Sequence, residues 1–169
     1  MKAKPPLQRR KFANDWDEIE YLYQKLLYWL YEREDPAKAA TYADRLEQLL
    51  LSVDPRHESI LGEECWSLIY ETRGDIAKAI EHRENEIRLM RRLHELTRDA
   101  AENSLALEGR GLGHLSDRLD LLAMLYHDRG EVDRAISLLR ESKQLCQAHG
   151  IEFDGQDILD EYLQERGSS

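Results

Sequence analysis

Two segments of the chain, YETRGDIAKAIEH (Tyr70 to His82) and YHDRGEVDRAISL (Tyr126 to Leu138), carry the same pattern. Both read Tyr, two residues, Arg-Gly, an acid, a β-branched residue, one residue, then Lys or Arg before Ala-Ile. Gly is the residue that most readily takes the left-handed conformation ending a helix, and an acid just after it suits the next helix N-terminus. The phrase therefore predicts helix, tight reversal, helix, written twice 56 residues apart. A helix pair of this size cannot bury both of its apolar faces alone, so each copy requires a neighbour.

Apolar residues recur at helical spacing along most of the chain. Ile19, Leu22, Leu26 and Trp29 mark a first helix, and Ala40, Ala43, Leu46 and Leu50 a second. Asp35 reads as the N-cap of the second, with Pro36 at its first position, where the missing N–H costs nothing. Pro55 disfavours helix at Asp54 and ends it. Leu61, Cys65, Leu68 and Thr72 form a third stripe, stopped at Gly74. From Asp75 to Leu107 there is neither Gly nor Pro, enough for about 50 Å if unbroken. A break near Thr97–Asp99 or Asn103–Ser104 would give two helices instead, and Leu89, Leu93, Leu96 and Ala100 along it form a heptad-like seam. EGRGLGH (108–114) reads as the main helix connection; it lacks the GxGxxG spacing and a preceding strand, which sets aside a phosphate cradle. Leu115, Leu119, Leu122 and Tyr126 define a fifth helix to Gly130, and a sixth runs from Glu131 to about His149, ended by Gly150. Ile158, Leu159, Tyr162 and Leu163 indicate a short capping helix before a frayed Gly167-Ser168-Ser169 tail. The expectation is an all-α stack of antiparallel hairpins with six or seven helices and an unusually long fourth. Residues 1–13 are expected as a basic flexible tail, 14–150 as the helical repeat domain, and 151–169 as an acidic capping helix with its tail.

The repeated phrase resembles the tetratricopeptide repeat, in divergent form. The matching positions are Trp66, Ser67, Tyr70, Gly74 and Ala79 in one copy, and Leu122, Ala123, Tyr126, Gly130 and Ala135 in the other. YEREDPAKAATYA (31–43) is a weaker third copy, with Tyr31, Asp35 and Ala40 in equivalent places. The 56-residue interval exceeds the family period of 34 by 22 residues, which lodge in the overlong fourth helix or an extra one. Arg83 and Glu86 occupy places where the family carries an aromatic and an Ala, so that pair is expected to pack irregularly. The resemblance implies a right-handed α-solenoid whose first helices line a concave binding surface. That surface would present Leu22, Lys25, Trp29, Glu32 and Arg33 from the first pair. Leu61, Glu64, Leu68, Glu71 and Thr72 would come from the second, and Asp117, Asp120, Met124, His127 and Asp128 from the third. Leu22, Leu61 and Leu68 have an equally good reading as core.

The charge pattern bears on what such a groove could hold. The 169 residues carry a formal charge of −10, with +5 on residues 1–13 and −15 on the remainder. An acidic body argues against phosphate-backbone binding as the main task and suits a basic or amphipathic peptide, although acidity also serves solubility. The carboxylate-clamp version of the family does not fit, because Asp120 and Asp128 stand where cations would be required. Size, acidity and three repeats also resemble the chaperones of bacterial type III secretion, while the interrupted spacing departs from them. The expected role is thus a non-catalytic adaptor or chaperone-like module, with two further readings. One is self-association through Tyr21, Tyr23, Tyr28, Trp29 and Tyr31; the other is nucleic-acid binding through Arg88, Arg91, Arg92 and Arg98, whose default partners are Glu84, Glu95 and Asp99 on the same helix.

No constellation for catalysis, cofactor or metal emerges from the residue order. His82 and Glu86 share a helical face, but nothing like HExxH or a second ligand pair accompanies them, so a surface contact is expected. His127, beside Asp128 and Arg129, reads as a cation at a helix C-terminus. Cys65 and Cys146 lie in apolar patterns without CxxC spacing and are expected as buried thiols. YLYQKLLYWLY (21–31) is too short and too interrupted to cross a bilayer, and no apolar run follows the basic N-terminus. A cytoplasmic protein is expected.

Overall fold

The computed structural model describes residues 12–100 and 105–168, with side chains over 12–96 and 114–168. The basic segment through Lys11 and the Asn103–Ser104 break point lie outside the described residues. Seven α-helices and one π-helical turn account for the fold, with no strand among the described residues. The chain divides into two compact units, Met1–Pro55 and Arg56–Ser169. Among the described residues no helix is long and apolar enough to cross a membrane.

In the first unit, α1 (Asp15–Leu27) begins at Asn14, whose side chain accepts the Asp17 N–H at 3.0 Å. Ile19, Leu22 and Leu26 are buried against α2 (Pro36–Val53), which buries Ala39, Ala43, Leu46, Leu49 and Leu50. Ala39 thus takes the inward place expected of Ala40, which is only half-buried. Asp35 caps α2 by accepting the Lys38 N–H at 3.0 Å, as its position before Pro36 predicts. Between the helices, Tyr28–Glu32 forms a π-helical turn. Such a turn holds one residue more than an α-turn, which rotates the succeeding side chains by about 100° around the axis. Trp29 lies within this turn and is half-buried, unlike the buried Ile19, Leu22 and Leu26.

In the second unit, α3 (Ile60–Thr72), α4 (Ile76–Ala100), α5 (Leu105–Asp128), α6 (Val132–His149) and α7 (Gln156–Gly167) pack in succession, each on the one before. The two copies of the repeated phrase make the same hydrogen bonds. Gly74 N–H donates to the Glu71 carbonyl at 3.0 Å and Asp75 N–H to Tyr70 at 2.9 Å; Gly130 donates to His127 at 2.8 Å and Glu131 to Tyr126 at 2.9 Å. This closes each first helix with a left-handed Gly, φ 75° at Gly74 and 84° at Gly130. The small residues sit at the helix crossings as the pattern predicts. Ser67 is fully buried and donates to the Ala79 carbonyl at 2.8 Å, while Ala123 and Ala135 are buried at the second crossing. Leu119, Leu122, Tyr126, Ile136 and Leu139 join Leu159 and Tyr162 of α7 in one core, so the C-terminal helix is a true capping element.

Two expectations change and one open alternative is settled. The EGRGLGH stretch is not a connection, since α5 begins at Leu105 and its backbone is helical through 108–114. Glycine weakens a helix by about 1 kcal/mol per residue but does not forbid it, and α5 packs along α4 and α6. The fourth helix is continuous through Thr97–Asp99, giving 25 residues or about 37 Å. The C-terminal tail is also more ordered than expected: Gly167 belongs to α7, and the Ser168 hydroxyl donates to the Gln164 carbonyl at 2.9 Å.

Gly130 has open space where a Cβ would project, so a substitution there meets only backbone strain. Gly130→Ala is expected to destabilise the protein by about 1 kcal/mol. The check is a lower urea midpoint, monitored by circular dichroism, with an unchanged denaturation slope.

Candidate functional site

The residues expected to line a binding surface separate into three kinds once their neighbours are known. Those of the first unit stay near one another on α1 and the π-helical turn. Lys25 Nζ sits 5.7 and 5.9 Å from the ring centres of Tyr21 and Tyr28, and the Arg33 guanidinium lies 6.0 Å from Tyr28. Lys38 Nζ caps Trp29 at 4.1 Å, while the indole N–H is buried with no hydrogen-bond partner among the described residues. Cations over aromatic faces are held by the ring quadrupole, so these bases already have local roles. Glu32 is exposed. Leu22 is core, as its second reading allowed.

A second group is spent on the interior of the second unit. Leu68 is 1% exposed and belongs to the core, and Glu64 is buried. Arg118 of α5 donates from Nη2 to Glu64 Oε1 at 2.6 Å and from Nε to Glu86 Oε1 at 2.7 Å. Arg83 pairs with the other Glu86 oxygen. Glu86 has no exposed surface, and burial raises its pKa, with the Arg83 and Arg118 charges opposing that rise. Ion pairs among these two carboxylates and two guanidiniums thus join α3, α4 and α5. The irregular packing expected at Arg83 and Glu86 is this network. The expected His82–Glu86 surface contact is overturned, because Glu86 points inward to the guanidiniums and His82 finds another acid. Glu71 is half-buried, Leu61 is partly buried, and the Thr72 hydroxyl turns back to the Leu68 carbonyl at 2.8 Å.

A third group lies along α5. The His127 ring stacks on Tyr162 of α7 with centres 4.0 Å apart and planes within 4°, and its Nε2 is 2.7 Å from Glu165 Oε2. His127 does lie in the last turn of α5, but its ring is covered by α7. Asp120 is turned toward the same region: a side chain on Gly155, just before α7, would come within 3.2 Å of its Oδ2. Its Oδ1 is buried and has no hydrogen-bond partner among the described residues. Burial lifts the Asp120 carboxyl from 3.8 to about 6; the Ser142 hydroxyl opposes this, and the Asp117 and Asp154 charges add to it. That leaves Met124, 39% exposed, between the exposed Asp117 and Asp128. With half-buried Leu121 these residues are spaced by four, three and four, a single outward stripe on α5.

Of the α4 arginines expected to pair along their own helix, Arg91 instead reaches across to Glu141 of α6, while Arg88 Nη2 meets Asn85 Oδ1 on the same helix at 3.2 Å; the side chains of Arg98 and Asp99 lie outside the described residues. Cys65 and Cys146 are buried free thiols, and burial pushes the Cys65 thiol well above its ordinary pKa.

One cluster was not legible in the residue order. Glu63, fully buried on α3, lies between two imidazoles: His57 Nδ1 is 3.0 Å from Oε1, and His82 Nδ1 is 2.8 Å from Oε2. Potential donor atoms of all three lie within 4.8 Å of one another. His57 precedes α3 with a left-handed backbone, φ 55°, while His82 is on α4. Trp66 and Tyr70 stack against His82 at ring distances of 5.8 and 5.3 Å. The separations of six and nineteen residues match no metal motif, so only the hairpin fold brings the three together. A donor set spread over a loop and two helices gives no periodic signal.

Comparison with protein-family models gives no match, and comparison with curated proteins gives none either.

Two outcomes are expected from the buried charges. Arg118→Ala removes the guanidinium that Glu64 and Glu86 share, and a loss of about 3 kcal/mol is expected in urea unfolding. Asp120 has its folded pKa raised, so between about pH 4 and pH 6 the folded chain holds a proton that the unfolded chain has lost. Stability contributed by this group therefore falls as pH rises through that window. Asp120→Asn is expected to be more stable than the parent at pH 7 by about 1 kcal/mol, allowing for solvent screening. The difference between the two should shrink toward pH 4.

Proposed function

We propose that the protein is a non-catalytic interaction module in which α5 holds a basic, amphipathic segment of a partner protein. The observation that carries this reading is the stripe Asp117–Leu121–Met124–Asp128. α5 packs against α4 and α6 and touches α7 through His127, yet it leaves a flexible thioether outward between two carboxylates. Methionine adapts to irregular apolar partners, and flanking acids favour Lys or Arg on either side of an apolar anchor. The resemblance of the two hairpins to tetratricopeptide repeats supports the same assignment, since in that architecture the first helix of each pair lines the binding surface. The inward roles of Glu64 and Leu68 narrow the surface relative to the one expected from the residue order. His127 and Asp120 flank it on the side where α5 meets α7 and the residue before it.

The experiment places a photo-crosslinking amino acid at Met124 in the full chain, with Arg140 on the exposed side of α6 as the control position. A discrete protein adduct is expected at Met124 and not at Arg140. Asp117→Lys combined with Asp128→Lys is expected to weaken capture of that partner by about tenfold or more through like-charge repulsion. Identical adducts from both positions, or capture indifferent to the charge reversal, would overturn the assignment.

A further inference from the structure

We propose that His57, Glu63 and His82 form a binding site for one divalent transition-metal ion of the zinc class. Two imidazole nitrogens and one carboxylate oxygen are the donor types this class of ion takes, whereas calcium and magnesium prefer all-oxygen sets. Metal–ligand bonds of about 2.0–2.2 Å in a tetrahedron put neighbouring donors about 3.3–3.5 Å apart. His57 Nδ1 lies 3.0 Å from Glu63 Oε1 and His82 Nδ1 2.8 Å from Oε2, with ligand atoms of all three residues within 4.8 Å of one another, so an ion seated on one oxygen requires an imidazole to shift toward it. His57 supplies that freedom, because its side chain is 39% exposed. Glu63 and His82 supply the fixed part: the carboxylate is fully buried, and the His82 ring packs against the Trp66 and Tyr70 rings.

Backbone and surroundings agree with this reading. His57 adopts a left-handed conformation that is uncommon outside glycine, and such outliers gather where a side chain must be aimed. The turn brings its ring 5.4 Å from Trp66 and 5.6 Å from His82, over the first turns of α3. The exposed His57 side opens the ion to solvent, so water can complete its coordination. The aromatic wall of Trp66 and Tyr70 lowers the local polarity and strengthens the bonds between the ion and its ligands. The bound ion would tie the segment before α3 to both helices of the first Gly-turn hairpin. The site uses none of the residues of the α5 stripe and stands or falls separately from it.

The test uses the full chain after treatment with a chelator, titrated with Co²⁺ alone and then with Zn²⁺. One equivalent of Co²⁺ is expected to produce visible ligand-field bands and quench Trp66 fluorescence, and Zn²⁺ to reverse both. His57→Ala and His82→Ala are each expected to weaken Co²⁺ binding by at least about tenfold, and His149→Ala, on α6, to leave it unchanged. His57 is half-exposed, so its replacement tests the site without removing a core residue. Glu63→Gln keeps the side-chain shape and is also expected to weaken binding. Absence of saturable binding by a chain of normal helicity would show that the three residues only hydrogen-bond to one another and would overturn the proposal. So would binding that survives both histidine substitutions, which would put the ion elsewhere.

Discussion

Glu86 is a carboxylate with no access to water, and a charge in that position cannot stand alone. Its desolvation is offset by two guanidiniums arriving from different directions, Arg83 from one turn earlier on α4 and Arg118 from α5. Arg118 reaches Glu64 on α3 with its remaining donors, so three helices share a single set of charge-assisted bonds. An apolar core tolerates sliding by a fraction of a turn, whereas a fork of guanidinium hydrogen bonds does not. The network therefore sets the register in which the α3–α4 hairpin meets α5. A core of hydrocarbon could have matched it in stability, so its distinctive contribution is positional.

That register decides what remains for the surface. Because Arg118 is drawn inward, Leu119, Leu122 and Tyr126 fall into the core, and Asp117, Met124 and Asp128 are left on the opposite side of α5. The α7 cap then takes His127 through stacking and crowds Asp120 through the bare backbone at Gly155. Of the α5 residues expected on a binding surface, those left exposed in this unit form one short stripe with a methionine near its centre, which is the surface proposed above. The histidine–glutamate cluster is set by the same α3–α4 hairpin and uses none of the residues of the network or the stripe.

Much of the fold was written in local residue order. The Gly74 and Gly130 reversals, the Asp35 cap before Pro36, the end of α2 ahead of Pro55 and the amphipathic α7 all occur where residue type and spacing require them. These are short-range effects: a left-handed φ, a missing N–H or a side-chain oxygen three residues from a free amide. The helical course of residues 108–114 was not legible, because three glycines lower local helix preference while packing of α5 along its neighbours acts from a distance. The π-helical turn that holds Trp29 was hidden likewise, since one additional residue leaves no mark in apolar spacing.

The chemistry of individual side chains divides along the same line. Sequence alone determined an all-helical chain of Gly-reversed hairpins, an acidic body and two thiols in apolar settings, because each depends on composition or on neighbours within a few residues. Tertiary structure decided that Glu86 turns away from His82, that Glu64 and Leu68 are interior, and that His57 and His82 share Glu63. Each of those choices is a competition among partners from different helices. Only the folded distances determine whether an acid is nearer a guanidinium, an imidazole or water.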